Sequence, residues 1–295
     1  MPSRAANPTA AEGMREAALR PFQVLEALEL PAQYERSFKI APGRLIAQRF
    51  MLGVRTGDAS PDRLLEAARR LGMPADVQPV FEQALAGASS VLFGFEGSEA
   101  TPPDPSHHPS PHPSAVLKVY TEYRSRWVEP PAHSAPVELF RGFKWQVESP
   151  TQPVQTVYWG RPGWSVDRIR EQIGERLAAS TLTPVRELVG SVIDRAMAAR
   201  PGFTPHWIEL GEPGEPLRAF DLNLYGAGLR VAALAQPLAA LATAFGVDRA
   251  LLARLLSVAG RGLLGHVSAG FARTGDGFLT VYFEPPDDTS QAASG

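Results

Sequence analysis

The sequence predicts an α+β fold in which a closed, ten-stranded antiparallel β-barrel is ringed by helices. Three observations carry this prediction. Segments with strand periodicity come as five consecutive hairpins, most of them separated by helix pairs. Along the strands, apolar residues alternate with polar ones. The polar face collects tyrosines and all three lysines of the chain, Lys39, Lys118 and Lys144, although every other cation is an arginine. Closure removes the sheet edges and turns the polar face into a lumen, while helices cover the apolar outer face. An open sheet whose polar face meets water would give the same alternation.

The elements follow in order. Residues 14–30 have helical spacing (Met14, Ala17, Ala18, Leu25, Leu28), with a kink or restart expected at Pro21. Strands at 35–40 and 44–54 meet across Ala41-Pro42-Gly43. Helices at 61–72 and 76–87 are split by Gly72-Met73-Pro74. Strands at 89–97 and 115–123 flank TPPDPSHHPSPHPS at 101–114, a Pro/His-rich loop whose proline density forbids helix and interior strand. Strands at 137–147 and 154–159 come next, then helices at 165–179 and 183–199. Strands at 204–210 and 217–225, helices at 229–245 and 248–258, and strands at 263–272 and 277–284 complete the chain. The expected organisation is a single barrel domain over 14–285, with flexible ends at 1–13 and 286–295.

Side-chain alternation marks the two faces. Leu117, Val119 and Tyr123 alternate with Lys118, Tyr120 and Glu122, and Phe143, Trp145 and Val147 with Lys144 and Gln146. Phe220, Leu222 and Leu224 alternate with Asp221, Asn223 and Tyr225, and Leu279, Val281 and Phe283 with Thr280 and Tyr282. Val267, Ala269 and Phe271 oppose His266 and Ser268, while Phe38 and Ile40 oppose Glu35, Ser37 and Lys39.

Composition and missing motifs exclude several functions. The 295 residues are 44% hydrophobic with a formal charge of −2, so there is no basic field to hold nucleic acid or an anionic membrane. The most apolar stretch, 229–246, is broken by Arg230, Gln236, Pro237 and Thr243 and cannot supply the roughly 20 apolar residues of a membrane span. With no cysteine there is no thiolate nucleophile or Cys-ligated zinc. The start lacks a signal-peptide run, which leads us to expect a cytoplasmic protein. GxxxxGK[ST], GxSxG and HExxH are absent. Gly260, Gly262 and Gly265 form a GxGxxG, but it follows a helix and leads into a strand, the reverse of a dinucleotide site. No DDxxD cluster holds diphosphate through magnesium, since Asp287-Asp288 stands in the tail. His107, His108 and His112, accompanied only by Asp104, read as a solvated insertion rather than a metal site.

The stretch Tyr34–Phe50 resembles the first hairpin of the cyanobactin-type peptide prenyltransferases. There a glutamate is followed, four positions on, by K-I-x-x-x-[KR]-L-I-A-x-R-F; here Glu35 precedes Lys39-Ile40, Arg44-Leu45-Ile46-Ala47 and Arg49-Phe50. Those enzymes belong to the ABBA prenyltransferases, ten-stranded barrels encircled by helices. Val116-Leu117-Lys118, Gly142-Phe143 and Thr156-Val157-Tyr158 are similar to later strands of the family. Two places depart from it. Tyr120 and Glu122 stand where the family tends to have His and Arg, and Asp221-Leu222-Asn223 stands where His-Leu-Lys is expected.

The resemblance implies transfer of a prenyl group from dimethylallyl or geranyl diphosphate to a side chain of a ribosomal, cyclic peptide, with Mg2+ accompanying the diphosphate. Ionising an allylic diphosphate needs cations at the leaving group and dry π faces around the carbocation. Arg49 and Lys118, with Tyr120, Tyr158, Asn223, Tyr225 and Tyr282, are the expected donor site. Glu35 would orient the acceptor and take its proton. Glu122, Asp221 and His266 would line the acceptor site, where unpartnered carboxylates would suit an arginine side chain. A small aromatic acceptor, or a non-catalytic barrel that holds a lipid or peptide, are the competing readings.

Overall fold

A computed structural model describes residues 10–97, 115–128, 135–150 and 153–286. The Pro/His-rich loop with His107, His108 and His112 and the tail from residue 287 lie outside the described residues. Ten strands form a closed antiparallel barrel in the order β1-β10-β9-β8-β7-β6-β5-β4-β3-β2. They are β1 (Gln33–Ala41), β2 (Arg44–Arg55), β3 (Ser90–Gly97), β4 (Ala115–Glu122), β5 (Val137–Gln146), β6 (Val154–Gly160), β7 (His206–Gly211), β8 (Ala219–Asn223), β9 (Leu263–Phe271) and β10 (Gly277–Glu284). Apart from the closing pair, each strand is hydrogen-bonded to the next in sequence, as five successive hairpins require. Among the described residues no helix is long and apolar enough to cross a membrane.

The chain divides into two compact units. The first comprises the chain up to Gln33, Gln48–Glu122 and Gly142–Gln155. Its helices are α1 (Ala10–Ala27), α2 (Pro61–Arg70) and α3 (Gln78–Leu85). Strand registers place Phe50, Phe95 and Leu117 side by side on one face, and Leu52, Phe93 and Val119 beyond them. These join Leu64, Leu65, Leu71 and Phe81 from the helices in one buried cluster, each large side chain contributing roughly 1.5–3 kcal/mol by leaving water. The opposite face carries Arg49 beside Glu96, and Lys118 beside Gly94. Pro61 at the first helical position and Ser60, whose hydroxyl accepts the Arg63 N–H at 3.4 Å, start α2.

Helix α1 departs from the expectation at both ends and in its middle. Residues 10–13, expected to fray, are helical, with Glu12 in the first turn where its charge suits the helix dipole. Pro21 causes no break, because Ala17, Val24 and Leu25 bury that face and outweigh the lost hydrogen bond. The helix stops three residues early, where Glu29 adopts a left-handed φ of 46° and the Leu30 N–H closes on the Leu25 carbonyl at 2.9 Å.

The second unit comprises Tyr34–Ala47, Tyr123–Arg141 and the chain from Thr156. It holds α4 (Arg124–Val128), α5 (Val166–Arg176), α6 (Thr183–Ala199), α7 (Ala235–Ala244) and α8 (Arg249–Ala259). Phe38, Trp207, Phe220, Leu222, Val267 and Val281 pack with Val185, Val189, Ile193 and Leu238 of the helices. The opposite face presents two rows across the strands. One runs Ser37, Tyr282, His266, Asn223, His206; the other runs Lys39, Thr280, Ser268, Asp221, Ile208. On the helix side, the buried Glu209 accepts from Arg161 Nε at 2.8 Å and from Arg176.

Three expectations in this unit change. The strand expected to reach Tyr225 ends at Asn223, because the Leu224 N–H bonds to the Gly265 carbonyl at 2.7 Å and Tyr225–Ala227 turn as a 3-10 helix. The helix expected from 229 begins as a 3-10 turn at Val231–Leu234 and becomes α7 only at Ala235. Helix α4 is a short addition that periodicity did not reveal, since five residues are too few to show a helical repeat.

Candidate active site

In the first unit, two cations share one carboxylate. Arg49 on β2 donates from Nη1 to Glu96 Oε1 at 3.1 Å, and Lys118 on β4 donates from Nζ to Glu96 Oε2. Glu96 lies on β3, between the two strands that carry its partners. Arg49 and Lys118 are buried, and Glu96 keeps 22% of its side chain exposed. Burial, opposed by Glu96 and reinforced by Arg49 and Lys144, lowers the Lys118 ammonium to a pKa of about 7. The Lys144 ammonium stands over the Tyr120 ring, 5.8 Å from its centroid. That ring packs against Gly142, where an added Cβ would approach it to 2.5 Å.

In the second unit, the carboxyls are held by a tyrosine of the turn after β8 and a histidine of β9. Tyr225 donates its hydroxyl to Glu35 Oε1 at 3.1 Å. Glu35 as a residue is half-buried, but its carboxyl is enclosed; desolvation raises it to a pKa of about 7 against the lowering effects of His266 and the Tyr225 hydrogen bond. Burial and the nearby Glu35 and Glu284 raise the Tyr225 phenol, so it stays a donor at any ordinary pH. Asp221 Oδ1 lies 2.6 Å from His266 Nδ1. Asn223 accepts the Tyr225 N–H on Oδ1 at 3.2 Å, which turns its amide nitrogen to His266 Nε2 at 3.4 Å. With Nε2 accepting, Nδ1 carries the proton and donates it to Asp221.

Tyr225 and Tyr282 both stand edge-on to the His266 ring, with centroids 5.4 and 6.0 Å away. A β-bulge at Gly265 makes the first contact possible, since a Cβ there would come within 2.5 Å of the Tyr225 ring.

Within the first unit, then, the structure brings Arg49 and Lys118 together, and places Tyr120 under Lys144 and Glu122 half-buried in register with Ser90. Within the second it groups Glu35, Asp221, Asn223, Tyr225, His266 and Tyr282; Tyr158 pairs edge-on with Phe140 at 5.8 Å. One consequence differs from expectation. Asp221, expected to line the acceptor site as an unpartnered carboxylate, has the His266 imidazole as a hydrogen-bond partner. Sequence reasoning also missed Glu96, although it shares strand parity with Gly94 and lies opposite the apolar Phe93 and Phe95. It missed His206, which stacks on Trp127 of α4 at 4.2 Å and whose imidazole burial holds below its ordinary pKa. Among the described residues no three His, Asp or Glu side chains gather into a group able to hold a metal ion. Glu96 is engaged instead by Arg49 and Lys118, Glu35 by Tyr225 and Asp221 by His266.

No protein-family model matches the chain, and no curated protein matches it. Solved structures do. The 5-dimethylallyltryptophan synthase from Streptomyces coelicolor is 14% identical with a TM-score of 0.56, over 95% of this chain and 92% of its own. A 6-dimethylallyltryptophan synthase from Micromonospora olivasterospora, solved in complex with DMASPP and Trp, is also 14% identical with a TM-score of 0.56, over 95% and 94%. The prenyltransferase PriB is 16% identical with a TM-score of 0.55, again over 95% and 94%. At these identities the likeness is one of fold: the chain shares the closed, helix-ringed antiparallel barrel of these structures.

Proposed function

We propose that the protein is a prenyltransferase that moves a dimethylallyl or geranyl group from its diphosphate to a side chain of a ribosomal peptide. The observation that carries this reading is the pair of buried cations, Arg49 and Lys118, already gathered around an anionic group. A diphosphate can be held there, and its developing charge stabilised as the allylic C–O bond breaks. Lys144 over Tyr120 adds a third cation and a π face in the same unit.

Glu35 is the proposed base. The new bond forms at the acceptor nucleophile, the acceptor's proton passes to the Glu35 carboxylate, and diphosphate departs. A carboxyl near pH 7 in affinity is suited to this, being deprotonated often enough to accept and basic enough to take the proton. Magnesium would enter with the diphosphate rather than through protein ligands. The peptide acceptor rests on the likeness of the first hairpin to the cyanobactin-type enzymes. A small aromatic acceptor is favoured by a different observation, the shared fold with a structure solved with DMASPP and Trp.

Dimethylallyl and geranyl diphosphate, offered with free tryptophan and with peptides that differ only by Arg, Tyr or Trp at one position, separate these readings by mass spectrometry. A prenylated peptide supports the proposal. A prenylated amino acid with untouched peptides replaces the acceptor, and no transfer to any of them leaves a binding barrel.

A further inference from the structure

We propose that Glu96 is the positioning residue of the donor site: a single carboxylate, clasped by cations from the strands on either side, sets the spacing of Arg49 and Lys118 and keeps them ready for a diphosphate. This rests on the donor reading above. Each oxygen of the carboxylate has its own partner, Nη1 of Arg49 at 3.1 Å and Nζ of Lys118. The three residues come from three adjacent strands, β2, β3 and β4, so the carboxylate ties the strands together on the face that bears the cations.

A negative group in an anion site looks self-defeating, and its value lies in the state without ligand. Two buried cations side by side repel one another and lose hydration, and the cheapest escape is for the lysine to give up its proton. The charged groups that bear on Lys118 are Glu96 on β3, Arg49 on β2 and Lys144 on β5. Of these only Glu96 favours the ammonium; the other two and burial oppose it. Lys118 sits near a pKa of about 7 with Glu96 in place, so part of it keeps its charge at neutral pH, and loss of Glu96 would lower that charged fraction further. A neutral amine gives a diphosphate no charge, and binding would first have to capture a proton.

The sign follows. Donor affinity should be full below the Lys118 pKa and fall as pH rises through it. Glu96→Gln should move that fall to lower pH by about one unit or more, a tenfold change in the charged fraction at a fixed pH above it. Glu96→Asp, which keeps the charge but shortens the reach, should leave the midpoint near that of the native protein while raising the donor KM several-fold. The turnover number at saturating donor should change by less than about threefold in both.

The experiment measures kcat and KM for dimethylallyl diphosphate from pH 5.5 to 9, together with calorimetric binding of inorganic diphosphate over the same range. Because the chain has three lysines, ε-carbon labelling of lysine gives three resonances whose titration is followed directly. If Glu96→Gln does not fold, Glu96→Asp and the native lysine titration decide the question: a Lys118 resonance that titrates far from 7 or does not move with diphosphate, or a Glu96→Asp variant with native donor KM, overturns the proposal. An unmoved midpoint in a folded Glu96→Gln with wild-type KM also overturns it. A native protein that binds no diphosphate at any pH overturns the donor reading itself, which is a different result.

Discussion

Glu35→Gln should move activity and stability in opposite directions. The native fold holds the Glu35 proton more tightly than the unfolded chain does, raising the carboxyl from 4.5 to about 7. The folded state is therefore fully favoured below pH 4.5, and loses that advantage as pH climbs from 4.5 through 7. The loss amounts to about 3 kcal/mol above pH 7. Glutamine has nearly the same shape, still accepts the Tyr225 hydroxyl and never ionises. Its variant should match the native protein in urea denaturation at pH 4 and exceed it by up to about 3 kcal/mol at pH 8. Turnover should fall by about 10² to 10⁴, with donor binding little changed, because the proposed general base has been removed and the cations have not. A variant that is no more stable than the native protein at pH 8, or that keeps near-native turnover, refutes the reasoning.

Three further outcomes test the same framework. Tyr225→Phe removes a hydrogen bond to a carboxylate, an interaction of about 1.5–3 kcal/mol, so the acidic limb of the rate profile should move from about 7 upward by about one unit or more. At pH 7 this predicts a loss of about fivefold or greater that is recovered above pH 9; an equal loss at every pH would show that the hydroxyl does not act through Glu35. Gly265→Ala introduces a Cβ 2.5 Å from the Tyr225 ring, and should reproduce the same limb shift by pushing that hydroxyl off Glu35; an unmoved profile argues against the bulge as the element that places Tyr225. Glu209→Ala strands Arg161 and Arg176 against the helix side of β7 and should cost about 3 kcal/mol in denaturation, with the pH profile of turnover unchanged.

Much of the fold was legible because strand and helix periods are local. Two-residue alternation placed Lys118 opposite Leu117 and Val119, and Asp221 opposite Phe220 and Leu222, and the registers confirm both faces. Ten strands and their hairpin order followed from the same count. The misreadings fall at element ends, where pattern gives way to packing. Pro21 lies inside a helix because its neighbours are buried, which no propensity encodes. Strand β8 stops short of Tyr225 because a carbonyl on another strand, at Gly265, claims the next N–H.

The candidate site was legible as a set of residues but not as a set of partners. Alternation says that Arg49, Lys118 and Asp221 share the polar side of their strands; it cannot say which group each will meet. The decisive pairs lie far apart in the chain: Arg49 and Glu96 are separated by 47 residues, Asp221 and His266 by 45, and Glu35 and Tyr225 by 190. Each is set by strand register and by local irregularities such as the bulge at Gly265. A carboxylate that seems unpartnered in sequence, such as Asp221, meets a histidine on the adjacent strand. One that drew no notice, Glu96, holds both Arg49 and Lys118, the cations of the proposed donor site. Electrostatic function in a barrel is thus written across strands, perpendicular to the direction in which the sequence is read.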